Sequence, residues 1–203
     1  MTAQHWDEVF RTKDTHQVSW YQVNPGTSLA LIADTPGSVI DIGAGSSTLI
    51  DELLAAGRTD LTVLDISEAA LELTRRRLAQ HADLVRFEVA DITIWQPHRT
   101  YAVWHDRAVF HFLTNRADQS SYVELVTHAI SPGGALVLGT FAEDGPTQCS
   151  GLPTARYGVG SLADRFSAGF DLEQHTRETH QTPAGTRQPF TWVKLRRIID
   201  SAT

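Results

Sequence analysis

Apolar residues in this chain gather into short runs that end in an acid. Val39-Ile-Asp41-Ile, Leu61-Thr-Val-Leu-Asp65, Val85-Arg-Phe-Glu-Val-Ala-Asp91 and Tyr101-Ala-Val-Trp-His-Asp106 all follow this rule. Runs of this length, dense in Val, Ile, Leu and aromatic residues, predict strands covered on both faces. Between them the apolar spacing changes to three and four. Leu49, Leu53 and Leu54 within residues 48–56, and Ala69, Leu71, Leu73 and Leu78 within residues 68–81, predict amphipathic helices. Strands that alternate with helices need crossover connections, so the pattern predicts an α/β fold with a doubly wound, mostly parallel sheet. A further helix over 118–130 is stopped by Pro132-Gly133-Gly134, and 135–141 is a fifth strand. Residues 170–182 and 188–199 alternate like two strands joined at Pro183-Ala-Gly185, an antiparallel closing hairpin. Helices over 3–12 and 28–34 flank a turn at Pro25-Gly26.

In parallel sheets a ligand binds beyond the carboxyl ends of the strands, where strand order reverses. Asp41, Asp65, Asp91 and Asp106 are all expected on that rim. Gly43 and Gly45 follow the first strand, where the backbone must turn tightly and let a ligand approach, and Ser46-Ser47 opens the next helix. Residues 143–160 carry Gly145, Pro146, Gly151, Pro153, Gly158 and Gly160, too many breakers for a regular element. An irregular loop of that length is expected to serve the site, and a short helix is expected near 161–168. The organisation is a single domain with three parts. Residues 1–36 form an N-terminal helical lid, 37–142 the ligand-binding core, and 143–203 the loop and closing hairpin.

Bulk properties narrow the partners. A chain of 203 residues with 41% hydrophobic and 20% charged content suits one ordinary globular domain. The net charge of −7 argues against a nucleic-acid backbone as partner, and Arg75-Arg-Arg77 is expected to be a solvated helix face. Cys149 is the single cysteine, so no intrachain disulfide forms and a reducing compartment is expected. The first residues lack the apolar core of a signal peptide and no apolar run reaches membrane-spanning length, so the expectation is a cytoplasmic protein with no membrane partner.

Taken together these residues resemble the class I S-adenosyl-L-methionine (SAM) dependent methyltransferases over nearly the whole chain. Asp41-Ile-Gly-Ala-Gly45 is similar to the family's first motif, Asp65 to the acid that closes its second strand, and Ala90-Asp91-Ile92 to the pair after its third. Residues 104–113 resemble its fourth motif, and 132–138 the turn and strand that follow. The resemblance implies a seven-stranded sheet with an antiparallel last strand, SAM as cofactor and methyl transfer by in-line displacement. It implies that Asp41 orients the methionine ammonium and that Gly43, Ala44 and Gly45 bring their backbone to the methionine end. Asp65 would accept from both ribose hydroxyls, and Asp91 from the adenine amine, with Ile66 and Ile92 against the ring. Trp20 and His105 would lie beside the cofactor. If a base is used, the candidates are His105, Asp106 and His111, whose spacing matches no metal motif.

Asp106-Arg107-Ala108 is similar to the Asp-Arg-Gly/Ala turn of thiopurine and halide/thiol methyltransferases, which points to a small-molecule thiol, hydroxyl or amine as acceptor. Trp6, Trp20 and Tyr21 would form the lid, and Trp20, Tyr21, Arg107, Cys149 and Tyr157 would meet the acceptor. A similar N-terminal Trp-Asp and Trp-Tyr arrangement in protein-lysine methyltransferases makes a protein substrate the alternative, because a net charge of −7 permits an acidic groove. The Asn/Asp-Pro-Pro-Tyr signature of amino-group methylation on nucleic acids or glutamine is absent. An NAD-dependent dehydrogenase would need glycine at Thr48. A non-catalytic SAM-binding protein is the remaining alternative.

Overall fold

The computed structural model describes residues 2–199. Helix α1 (Ala3–Thr12) and α2 (Gly26–Ile32) precede the first strand. Then β1 (Val39–Ile42), α3 (Leu49–Ala55), β2 (Leu61–Asp65), α4 (Glu68–Leu78), β3 (Val85–Val89) and β4 (Tyr101–Arg107) alternate. Helix α5 (Arg116–Ala129) runs directly into β5 (Ile130–Phe141). The breaker Pro132-Gly133-Gly134 thus lies inside β5, whose register against β4 is interrupted between Tyr101 and Val103. The long irregular loop contains a two-residue hairpin, β6 (Gln148–Cys149) and β7 (Leu152–Pro153), before the short α6 (Val159–Ala163). Two long strands, β8 (Phe170–Gln181) and β9 (Arg187–Arg197), finish the described chain. Residues 200–203, assigned to the last segment, lie outside the described residues.

The fold is mixed α/β around a seven-stranded sheet in the order β3-β2-β1-β4-β5-β9-β8. Strands β1 to β5 pair in parallel, and β9 enters antiparallel between β5 and β8. Strand order moves outward from β1 to β3 and then returns to β4 on the other side of β1. That reversal opens a crevice at the carboxyl ends of β1 and β4.

Which side chains reach the crevice follows from the pleat, because neighbours along a strand point to opposite faces. Val39, Val63 and Val103 pack on one face with Leu31 of α2, Leu49 and Leu53 of α3 and Leu71 of α4. Ile40, Ile42, Leu64 and Trp104 pack on the other with Tyr122 and Val126 of α5 and Leu162 of α6. Each large apolar side chain so buried contributes about 2–3 kcal/mol. Asp41, Asp65, His105 and Arg107 continue the parity of the first face. Asp106 continues that of the second.

Side-chain caps fix the starts of α4 and α5. Ser67 Oγ accepts from Ala70 N at 3.1 Å at the start of α4, and Asn115 Oδ1 from Asp118 N at 2.9 Å at the start of α5. Among the described residues no helix is long and apolar enough to cross a membrane.

Candidate active site

The turn after β1 is where the sequence forces an unusual backbone. Gly43 and Gly45 sit at φ +62° and +51°, a region that costs other residues about 1–2 kcal/mol. Space is equally tight, since a Cβ on Gly43 would come within 2.1 Å of Val109 Cγ2. Gly45 N donates to Asp65 Oδ2 at 2.8 Å, and Thr74 Oγ1 donates to Gly45 O at 2.8 Å. Arg77 donates to the Ser46 carbonyl at 2.9 Å and also grips Asp51. Arg75, Arg76 and Arg77 are all exposed, as a solvated helix face requires; Arg75 and Arg76 pair with Glu72 and Arg77 with Asp51.

Asp65 closes β2 on the same rim. Its Oδ1 accepts from Ser67 N at 2.8 Å, so each oxygen holds one backbone amide and keeps acceptor capacity. Burial pushes its carboxyl up to about 6; the Ser67 and Gly45 amides oppose the rise and nearby Asp41 adds to it. Ile66, Ala90, Asp91 and Ile92 form the adjoining wall. Asp91 Oδ1 also accepts from Thr93 N at 2.9 Å and Thr93 Oγ1 at 2.7 Å, which shapes the turn after β3.

Register pairs Asp41 with His105 across β1 and β4. His105 Nδ1 lies 2.6 Å from Asp41 Oδ1, and its Nε2 lies 2.9 Å from Ser28 Oγ on α2. An ionised Asp41 carboxylate can only accept, which puts a proton on Nδ1, and in the neutral ring Nε2 is then left to accept from the Ser28 hydroxyl. Ser28, Asp41 and His105 are all buried, yet all three border the crevice.

Above them lies the N-terminal segment. Trp6 and Phe10 of α1 meet Trp20 edge-on at 5.7 and 6.0 Å, and Trp6 meets Phe112 at 5.5 Å. Asp7 Oδ1 accepts from Ser67 Oγ at 2.7 Å and fixes α1 to the start of α4. Tyr21, Arg107 and Cys149 complete the wall.

One cavity thus brings together Trp20, Tyr21, Asp41, Gly43, Ala44, Asp65, Ile66, Asp91, Ile92, His105, Arg107 and Cys149, with Gly45 behind it on Asp65. Three expected residues lie elsewhere. Asp106 is one pleat out of step and points beneath α5, where it accepts from Val109 N at 2.8 Å, Phe110 N at 3.0 Å and Tyr122 Oη at 2.5 Å. Burial pushes its carboxyl up to about 6. His111 is sealed in a 3-10 turn between Phe112 and Phe141, each ring 4.5 Å away, and both its nitrogens lack partners. Burial, with the charge of Arg107, drives its imidazole down to about 3. Tyr157 packs 5.6 Å from Phe110, and its Oη accepts from Gln119 Nε2 at 3.0 Å. The acidic rim has three members rather than four.

Several cavity residues carry no sequence signal of their own. Ser28 reaches His105 across 77 positions, and Phe10, Gln22, Val109 and Phe112 read as ordinary core or loop residues. Among the described residues no group of three or more His, Cys, Asp or Glu side chains is arranged to hold a metal ion.

Residues 40–136 match the family model described as a methyltransferase domain. Trans-aconitate 2-methyltransferase of Sinorhizobium fredii (strain NBRC 101917 / NGR234) is 34% identical over 114 residues, 54% of this chain and 41% of that protein. Its counterpart in Rhizobium meliloti (strain 1021) is 30% identical over 112 residues, again 54% of this chain and 41% of that protein. The chain therefore spans less than half the length of these relatives. N-methyltransferase NodS from Bradyrhizobium japonicum WM9, solved with S-adenosyl-L-homocysteine (SAH), shares the fold at TM-score 0.74 and 15% identity, covering 97% of this chain and 99% of that one. A protein solved in work on the conversion of a disulfide bond into a thioacetal group during echinomycin biosynthesis shares it at TM-score 0.78 and 19% identity, covering 98% and 94%. The glycine turn and the acids Asp41, Asp65 and Asp91 all lie inside the region that matches the methyltransferase-domain model.

Proposed function

We propose that this protein transfers the methyl group of SAM to a small-molecule nucleophile, a thiol, hydroxyl or amine. The observation that carries the proposal is the buried Asp65 carboxylate at the crevice rim, bonded to the Gly45 amide and flanked by the apolar wall of Ile66, Ala90 and Ile92. That donor and acceptor set fits a nucleoside: a carboxylate for the ribose diol, an apolar slot for the base, Asp91 at the slot's edge for its amine. The strained, Cβ-free turn at Gly43 and Gly45 fits close approach of the methionine end, with the Asp41 carboxylate beside it.

When bound, the cofactor supplies a methyl group already activated on a sulfonium. The protein's part is to align the acceptor, exclude water and keep the acceptor's lone pair free. Trp6, Phe10, Trp20 and Tyr21 exclude water as a lid. Asp41 holds the His105 ring so that Nε2 can receive a proton by way of Ser28 Oγ, while the serine takes one from the acceptor. A crevice roofed by aromatic rings favours a small acceptor over a peptide lysine, the class to which the named relatives also point.

A panel of thiols, phenols, aliphatic hydroxyls, amines, carboxylates and lysine peptides, scored by SAH release, tests the proposal. Turnover on a small nucleophile is expected; turnover confined to lysine peptides would overturn the small-acceptor assignment.

A further inference from the structure

Arg107 is the last residue of β4 and borders the cavity two positions beyond His105 on the same face. Its Nη1 donates to the Trp20 carbonyl at 2.9 Å, and its guanidinium lies 4.9 Å from the centre of the Phe190 ring. Among the described residues Nε and Nη2 have no partner, and both are shut away from solvent. These two N–H groups form one edge of the guanidinium, the fork that takes a carboxylate side-on. The same edge is filled elsewhere in this chain. Arg196 sets Nε and Nη2 on the two oxygens of Glu173 at 2.5 and 2.9 Å, and Arg77 sets them on those of Asp51 at 3.1 and 2.9 Å.

No carboxylate of the described residues lies within 4 Å of Arg107, despite the chain's net charge of −7. The acids around it are committed: Glu178 accepts from Gln22 Nε2 and Trp192 Nε1, both at 2.7 Å, and Asp41 Oδ1 is held by His105. Burial lowers the guanidinium to about 10, so it stays charged at neutral pH. A half-buried guanidinium whose fork is shut from solvent and left empty is costly unless a ligand completes it.

We propose that Arg107 holds a carboxylate on the methyl acceptor, seating an anionic substrate with its carboxylate on the Nε–Nη2 edge and its nucleophile toward Ser28 and His105. The inference rests on the methyltransferase reading above and narrows its acceptor class. Two strand positions separate the Cα atoms of His105 and Arg107 by about 7 Å, close enough for one small acceptor to meet both side chains. The cofactor's own methionine carboxylate is the other source of the same chemistry, and the test separates the two.

Calorimetry uses the full chain saturated with SAH, titrated with benzoate and with benzamide, its neutral counterpart, for the parent and Arg107→Met. Benzoate is expected to bind the parent at least tenfold tighter than benzamide, and Arg107→Met is expected to abolish the difference. Arg107→Met is also expected to bind SAH within threefold of the parent and to melt no lower, because it removes two N–H groups that are shut from solvent without partners. Equal binding of benzoate and benzamide by the SAH-loaded parent would overturn the inference and leave the cofactor reading intact. If Arg107→Met instead weakens SAH more than tenfold while 5′-methylthioadenosine binds unchanged, the fork belongs to the cofactor and the inference fails. A large fall in melting temperature would assign Arg107 to the fold and also overturn it. Failure of the parent to bind SAH at all would overturn the underlying methyltransferase reading itself.

Discussion

Asp106→Asn separates a structural carboxylate from a catalytic one through the pH dependence of stability. Asp106 is fully buried and its folded carboxyl is raised from 3.8 to about 6, chiefly by burial. A raised folded pKa means that the folded protein holds the proton more tightly than the unfolded chain. The stability this contributes is complete below pH 3.8 and is lost as pH rises through about 6. The rise corresponds to about 3 kcal/mol, most of which falls between pH 4 and pH 8. Asparagine has no such titration, and the other ionisable groups are common to both proteins. The stability advantage of the parent over Asp106→Asn should therefore shrink by about 2–3 kcal/mol from pH 4 to pH 8. Urea titrations of both proteins at the two pH values measure it. Folded Asp106→Asn should also bind SAH as the parent does, because residue 106 faces Tyr122 and not the crevice. A stability difference that stays constant with pH would refute the burial argument. Loss of SAH binding by the folded variant would return Asp106 to the site.

Two further substitutions test neighbouring claims. His111→Phe replaces a buried ring with two unpaired nitrogens; it should raise stability by up to about 2 kcal/mol, and a fall in a thermal melt would show that those nitrogens are paired. Gly43→Ala meets both a φ of +62° and Val109 Cγ2 at 2.1 Å, so it should cost about 2 kcal/mol or more and weaken SAH at least tenfold, read by calorimetry; parent-like values would show that the turn relaxes freely.

The strand ends were legible because burial on both faces writes a continuous apolar run and an acid punctuates it. Asp41, Asp65 and Asp91 could be placed on one rim for that reason. Asp106 departs from that rim because of strand parity: the step from His105 to Asp106 moves a side chain from the crevice to the underside of α5. The alternation was present in the sequence, since Val103 and His105 share one face and Trp104 and Asp106 the other. His111 and Tyr157 were not legible in that way. Each sits in an irregular segment whose direction is set by packing against Phe141 and Phe110 rather than by a repeat. Ser28 was invisible for a different reason, because its partner lies on a strand 77 residues away and only tertiary structure joins them. The empty fork of Arg107 is likewise a property of what surrounds the residue and not of its neighbours in sequence.

The central claim is that the crevice beyond β1, β2 and β4 binds the SAM framework through Asp65. Calorimetry of SAH with the parent and with Asp65→Ala tests it most directly, with NAD as the control ligand. The parent should bind SAH in the micromolar range, about −8 kcal/mol, and should not bind NAD. Asp65→Ala, stripped of the ribose-facing carboxylate, should lose on the order of 2–4 kcal/mol, a weakening of about thirtyfold or more. Binding of NAD in place of SAH, or Asp65→Ala binding SAH as tightly as the parent, would contradict the account.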